Sequence, residues 1–225
     1  GHESGVVAGG GGGAARGAER SVSRARVGER DWRAVHVGGG ALAGGRDAGT
    51  VKVFSVQPLR LDGEDLNLAR VLVNGQGTSF KMDGGQLVLE NLPEGTDAFA
   101  LEIFTTCAPA KNTKLMGLYV SNDSFFTQCE AEGFRRITYF LDRPDVMASY
   151  SVTLRADKTQ YPVLLSNGNL VDSGDLEDGR HFAKWVDPHK KPCYLFALVA
   201  GKLVAREQKI RTRAGTDHLL QVYVR

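Results

Sequence analysis

The residues best placed to do chemistry are Gln128, Glu130 and Glu132, in the run Thr127-Gln128-Cys129-Glu130-Ala131-Glu132-Gly133-Phe134-Arg135. Extended backbone sends alternate side chains to opposite faces. Positions i, i+2 and i+4 therefore put an amide and two carboxylates on one face, with Cys129 and Ala131 on the other. Burying unpaired carboxylates costs roughly several kcal/mol each, so the acidic face must meet water, donors or a cation. A solvated edge strand meets that condition. So does a site for a peptide's α-ammonium, which has a pKa of about 7.7 to 8.0. Carboxylate and amide oxygens can take its three hydrogens in charge-assisted bonds worth roughly 1.5 to 3 kcal/mol each.

Machinery for bond cleavage is not written in the chain. A zinc peptidase helix needs His-Glu-x-x-His, so that two imidazoles on one face hold the metal and the Glu acts as base. The only His-Glu is His2-Glu3, and Val6 stands where the second His belongs. His36, His181, His189 and His218 lack partners at i+3 or i+4. There is no Gly-x-Ser-x-Gly elbow and no phosphate loop, since Gly75-Gln76-Gly77 lacks the third glycine. Cys107, Cys129 and Cys193 are odd in number and without Cys-x-x-Cys spacing. They read as buried thiols of a reducing compartment, cytoplasm or organelle interior, and not of a secreted disulfide framework.

The elements that must position Gln128 and Glu130 follow from the rest of the chain. Its 225 residues are 42% apolar, enough for a core. No apolar run approaches the roughly 20 residues of a membrane span. A balance of 28 basic and 26 acidic residues argues against a general nucleic-acid surface. Residues 1–49 form a Gly/Arg-rich leader. The first 50 positions hold 15 of the 28 Gly and seven Arg with no Lys. Few large apolar side chains offset the entropy of ordering so much glycine, so this leader is expected to be disordered. Trp32, Val35 and Val37 could dock as one short segment.

Residues 50–225 change texture, to short period-two runs separated by Asp62-Gly63, Asn74-Gly75, Asp83-Gly84, Asn167-Gly168 and Asp178-Gly179. Strands are predicted over 69–73, 86–90, 99–105, 150–155, 180–186 and 218–224, and the apolar run 194–200 is predicted as a strand covered on both faces. The fold class is therefore mostly β, an antiparallel saddle-like sandwich of short strands. One short helix is expected after the Gln-x-Glu strand, with Pro144 in its first turn and Asp142 or Arg143 near its cap.

Several stretches together resemble the amino-terminal domain of the aminopeptidase N family of zinc peptidases, in its bacterial and plant-like branch. They are Thr127 to Arg135 with Asp142-Arg143-Pro144-Asp145, Leu61-Asp62-Gly63-Glu64-Asp65-Leu66, Asn112-Thr113 leading to Gly117-Leu118-Tyr119, Tyr161 to Asn169, and Lys191 to Gly201. They run in the family's order from near Ser55 to the end.

The resemblance implies that Gln128 lines the first pocket of a peptidase cleft, while Glu130 holds the substrate's free α-amine. It gives Glu132 a structural role, and has Asp142 and Arg143 fix the strand by ion pairing. It also implies zinc in the complete enzyme, with no cofactor in this chain, because the family's His-Glu-x-x-His and Gly-Ala-Met-Glu-Asn motifs belong to a catalytic domain not seen here. The expected partners are a peptide N-terminus and either that catalytic domain or another protein covering the exposed surface. The alternative is a non-catalytic interaction or structural subunit derived from such an enzyme. One departure stands out: the family's opening strands are not recognisable in the leader, which predicts an uncovered sheet edge.

Overall fold

The computed structural model describes residues 6–8, 19–28, 32–33, 58–93, 98–177 and 179–225. In chain order the strands are β1 (Val6–Ala8), β2 (Glu19–Gly28), β3 (Trp32–Arg33), β4 (Leu59–Asp62), β5 (Asn67–Val73), β6 (Gln76–Gly77), β7 (Lys81–Asp83), β8 (Gln86–Leu89) and β9 (Ala98–Cys107). There follow β10 (Gly117–Ser121), β11 (Ser124–Gln128), β12 (Ala148–Asp157), β13 (Val163–Ser166), β14 (Asn169–Asp175), β15 (Arg180–Lys191), β16 (Leu198–Gly201), β17 (Val204–Arg211) and β18 (Asp217–Val224). The mostly β, antiparallel class expected from the sequence is the one the chain adopts. Among the described strands only β1 with β12 runs parallel.

A large sheet is ordered β14-β15-β12-β1-β2-β9-β5-β6, with β3 beside β2. A four-stranded sheet runs β10-β11-β16-β13, a three-stranded one β4-β8-β7, and β17 with β18 makes a separate ribbon. Period-two alternation decides which faces meet. In β9 the odd positions Phe99, Leu101, Ile103, Thr105 and Cys107 are buried, and in β12 the even positions Tyr150, Val152, Leu154 and Ala156. They feed two cores, one around Leu61, Leu87, Leu89, Leu101 and Ile103, the other around Phe134, Ile137, Tyr150 and Leu154. Leu66 and Leu141 pack against both.

The six predicted alternating strands are all present, most of them longer than their sequence cores. The apolar run 194–200 is different. It divides into a 3-10 turn at Cys193–Leu195 and the strand β16. The Asn167 side chain makes the division, its Nδ2 donating to Leu195 O at 3.0 Å and its Oδ1 accepting from Ala197 N at 2.6 Å. Leu195 is left exposed rather than covered on both faces.

The Asn74-Gly75 turn has the expected positive φ values of 50° and 81°. Asn122 and Asp123 make the same kind of turn between β10 and β11 without glycine, at φ 46° and 60°. Asx side chains tolerate this region better than most.

Of the Gly/Arg-rich leader, expected to be loose, only β1, β2 and β3 are described; Val35, Val37 and the other residues of that expectation lie outside the described residues. β2 pairs with β9 from Glu19 opposite Cys107 to Gly28 opposite Ala98. That flank of β9 is therefore occupied.

Candidate functional site

The site begins where β11 ends. β10 and β11 pair from Ser121 opposite Ser124 to Gly117 opposite Gln128. Thr127 extends the hold of β11 on β16: Leu198 N donates to its Oγ1 at 2.8 Å. Extended backbone stops at Gln128, so the expected single acidic face is shortened. Cys129 is buried, but Ala131 is exposed along with Gln128, Glu130 and Glu132. The chain turns here, with a cis Glu130–Ala131 peptide bond and Gly133 N donating to Cys129 O at 2.8 Å. The cause lies just downstream. Phe134 is fully buried and meets the rings of Phe140 and Phe196 edge-on, each at 5.3 Å, and a straight strand could not deliver it there.

Two glycines make the turn sterically possible. A Cβ on Gly133 would lie 2.4 Å from Gln128 O, and one on Gly117, at φ 72°, would lie 2.5 Å from Arg136 Cβ. The end of β11, the turn and the start of β10 are thus packed backbone to backbone, which holds Gln128 and Glu130 in a fixed relation. The Gln128 amide donates to Glu130 O at 3.3 Å.

Beneath the turn sits Asp142, 1% exposed. Its Oδ2 accepts from Arg135 N at 3.0 Å and from Arg135 Nε at 2.9 Å, and its Oδ1 accepts from Cys193 Sγ at 2.9 Å. Burial lowers the Arg135 pKa, but the hydrogen bond and charge of Asp142 outweigh it and leave it raised. Burial first, then the Asp142 charge, pushes the Cys193 and Cys129 thiols far up, so neither is a thiolate nucleophile. Arg136, also buried, donates to Asp65 at 2.8 Å and to Glu64, whose same oxygen Lys114 also reaches at 2.9 Å. Lys114 first, and Arg136 after it, hold Glu64 below the usual carboxylate range against the opposing effect of burial.

The segment 128–145 carries four carboxylates, and three are engaged. Glu132 pairs with Arg135 at 3.3 Å, Asp142 with Arg135, and Asp145 with Arg143 at 3.1 Å. The side chain of Glu130 has no hydrogen bond or ion pair among the described residues. The result is an exposed ledge with one uncommitted carboxylate and one amide, backed by a rigid buried network.

Two expectations need correction. Arg143 does not fix the site, because it pairs with Asp145 at the surface while Arg135 takes the role beside Asp142. The residues around Pro144 make only a turn before β12, and the helical turn after the acidic segment is instead the 3-10 turn Phe134–Arg136. Sequence reasoning also missed Arg136 and its partners Glu64 and Asp65. Their only signal was an acidic pair and a basic pair some 71 residues apart, with no local periodicity to join them.

The described residues do not fit a zinc ion. Among the described residues no three of His, Cys, Asp and Glu gather as metal ligands. The His181 Nε2 is committed to Tyr161 O at 2.7 Å. His2-Glu3 lies outside the described residues. No helix among them is long and apolar enough to cross a membrane.

Residues 50–195 match the Peptidase M1 N-terminal domain. The chain belongs to that family. Aminopeptidase N of Escherichia coli strain K12 is 54% identical over 168 residues, which are 74% of this chain and 19% of that protein. Aminopeptidase N of Haemophilus influenzae is 50% identical over 167 residues, with the same shares. The chain therefore spans about a fifth of the length of these curated relatives. Among solved structures, aminopeptidase A of Legionella pneumophila in complex with aspartic acid superposes with a TM-score of 0.75 at 28% identity, covering 98% of this chain and 23% of that one. An M1 zinc metallopeptidase from Deinococcus radiodurans shares the fold, with a TM-score of 0.63 at 16% identity, covering 74% of this chain and 40% of that one.

Proposed function

We propose that this M1 N-terminal domain is the substrate-anchoring part of a zinc aminopeptidase, in which Glu130 holds the free α-ammonium of a peptide and Gln128 lines the pocket for its first side chain. The observation that carries this reading is the uncommitted Glu130 carboxylate, on a ledge whose neighbouring acids are all paired. A carboxylate without a cation of its own gives up no existing ion pair when a ligand brings one. The domain supplies binding and orientation. Hydrolysis and zinc belong to polypeptide beyond these 225 residues. Three buried free thiols fit a reducing compartment.

The test uses a chimera in which the chain continues after Arg225 into the part of the E. coli aminopeptidase N that follows its matched region. Hydrolysis of leucine p-nitroanilide is measured with and without Glu130→Ala. A large loss of kcat/KM supports the anchor, and activity within twofold of the parent refutes it.

A further inference from the structure

β12 turns one face to the core and the other away from it. Tyr150, Val152, Leu154 and Ala156 are buried on the inner face, where Phe134 of the ledge meets Tyr150 with ring centres 6.5 Å apart. The alternate positions Ser151, Thr153, Arg155 and Asp157 therefore line the outer face, on the side of the sheet opposite the ledge. Directly opposed residues share a face, so Val186, Lys184, Phe182 and Arg180 of β15 join them.

Two cations on this outer face are uncommitted. The Nε–H of Arg155 is buried without an acceptor, and the guanidinium makes no ion pair among the described residues. A buried donor left unmet is costly, the more so on a charged group. Lys184 also makes no hydrogen bond or ion pair among the described residues, although Asp172 of β14 stands opposite it in register. Because Lys184 opposes Thr153 and Arg155 opposes Phe182, the two cations are diagonal neighbours, a spacing that long side chains bridge. Thr153 adjoins both, is 5% exposed, and leaves its hydroxyl without a hydrogen bond among the described residues. Asp157 does not answer the charge, since its Oδ1 accepts from Gln160 N at 2.7 Å. The Phe182 ring walls one side, lying against Gly174, where an added Cβ would come within 3.0 Å of it.

We infer that Arg155, Lys184 and Thr153 form a site for a phosphate group, separate from the peptide anchor and on the opposite side of the sheet. Two neighbouring cations match a dianion, whereas one carboxylate would leave a positive charge unanswered. The guanidinium offers parallel N–H donors to two phosphate oxygens, and turning that edge to the ligand gives the Nε–H the acceptor it lacks. The Lys184 ammonium meets a third oxygen as a point charge, and the Thr153 hydroxyl donates to the remaining one.

The test is a titration of the 225-residue chain with inorganic phosphate at constant ionic strength, with chloride and acetate in parallel. Phosphate should raise the melting temperature saturably and give a single-site calorimetric isotherm, and the other two anions should do neither. Arg155→Gln and Lys184→Gln should each weaken phosphate binding at least about tenfold, the loss of one charge-assisted contact. Glu130→Ala should leave it unchanged. If Arg155→Gln does not melt cooperatively, Lys184→Gln alone decides. No saturable binding, or binding untouched by the variants, would overturn the site, and equal effects of phosphate and acetate would overturn the choice of phosphate. Glycerol 3-phosphate run beside inorganic phosphate separates the sources. Tighter binding of the ester assigns the site to a phosphorylated small molecule, and tighter binding of inorganic phosphate assigns it to the free ion.

Discussion

The Arg135 guanidinium lies 2.9 Å from the Asp142 carboxylate, and the same carboxylate oxygen also takes the Arg135 backbone N–H. One buried acid thus fixes both the start of the 3-10 turn and the side chain that reaches back to Glu132. The ledge is held from beneath by a pair that faces the core.

Asp142→Ala should destabilise the domain by about 3 to 5 kcal/mol, the range for removing one partner of a buried ion pair. Urea unfolding followed by circular dichroism measures it. Asp142→Asn keeps an acceptor for the Arg135 N–H and should cost less. Equal losses in the two variants would mean that the charge, and not the shape or the acceptor that Asn keeps, matters at this position.

In the chimera, Glu130→Ala should lower kcat/KM by the equivalent of roughly 2 to 5 kcal/mol, as when one partner of a desolvated charge pair is truncated. Glu132→Ala should do much less, because Glu132 is two-thirds exposed and spent on Arg135. A larger effect at Glu132 than at Glu130 would reverse the assignment.

Gly133→Ala places a methyl 2.4 Å from Gln128 O, where the neighbour is backbone. Overpacking of this kind costs about 1 to 3 kcal/mol. Relief requires Gln128 to move, so the variant should also shift the Gly117 and Gln128 amide resonances. Unchanged resonances with unchanged stability would show that the close backbone packing is not needed.

Glu64 predicts an acid limb of stability. Its folded pKa is lowered, so its pairing with Lys114 and Arg136 contributes at neutral pH and is lost as pH falls from the ordinary carboxylate range, about 4.3, through the depressed folded value. Glu64→Gln should flatten the fall in melting temperature as pH drops below that range. Glu64 is partly exposed, so the effect should also shrink with added salt.

If hydrolysis lies in polypeptide beyond the domain, an antibody against residues 120–140 should detect a native species several times heavier than 24.3 kDa. A native species of that mass alone would favour a non-catalytic interaction subunit.

Much of this was legible in the chain. Period-two alternation in 99–105 and 150–155 marked the strands that line both cores, because alternation follows from backbone geometry alone. Asn74-Gly75 placed a turn for the same local reason. The residue types at Gln128 and Glu130 are where the proposed ammonium site starts. Other features depended on partners distant in sequence. Nothing local says that the run 194–200 breaks, since the break is imposed by the side chain of Asn167. The straight acidic strand was the natural reading until Phe134 had to enter the core, which turns the chain at Glu130.

By itself the sequence determined the β class and most strand positions, since each depends on neighbours along the chain. Only the tertiary structure decided that Glu130 stands uncommitted while Glu132, Asp142 and Asp145 are paired. Whether a carboxylate is spent depends on which cations the fold brings within about 4 Å of it. Here Arg135 reaches Asp142, seven residues on, only because Phe134 is buried and Gly133 lets the chain turn.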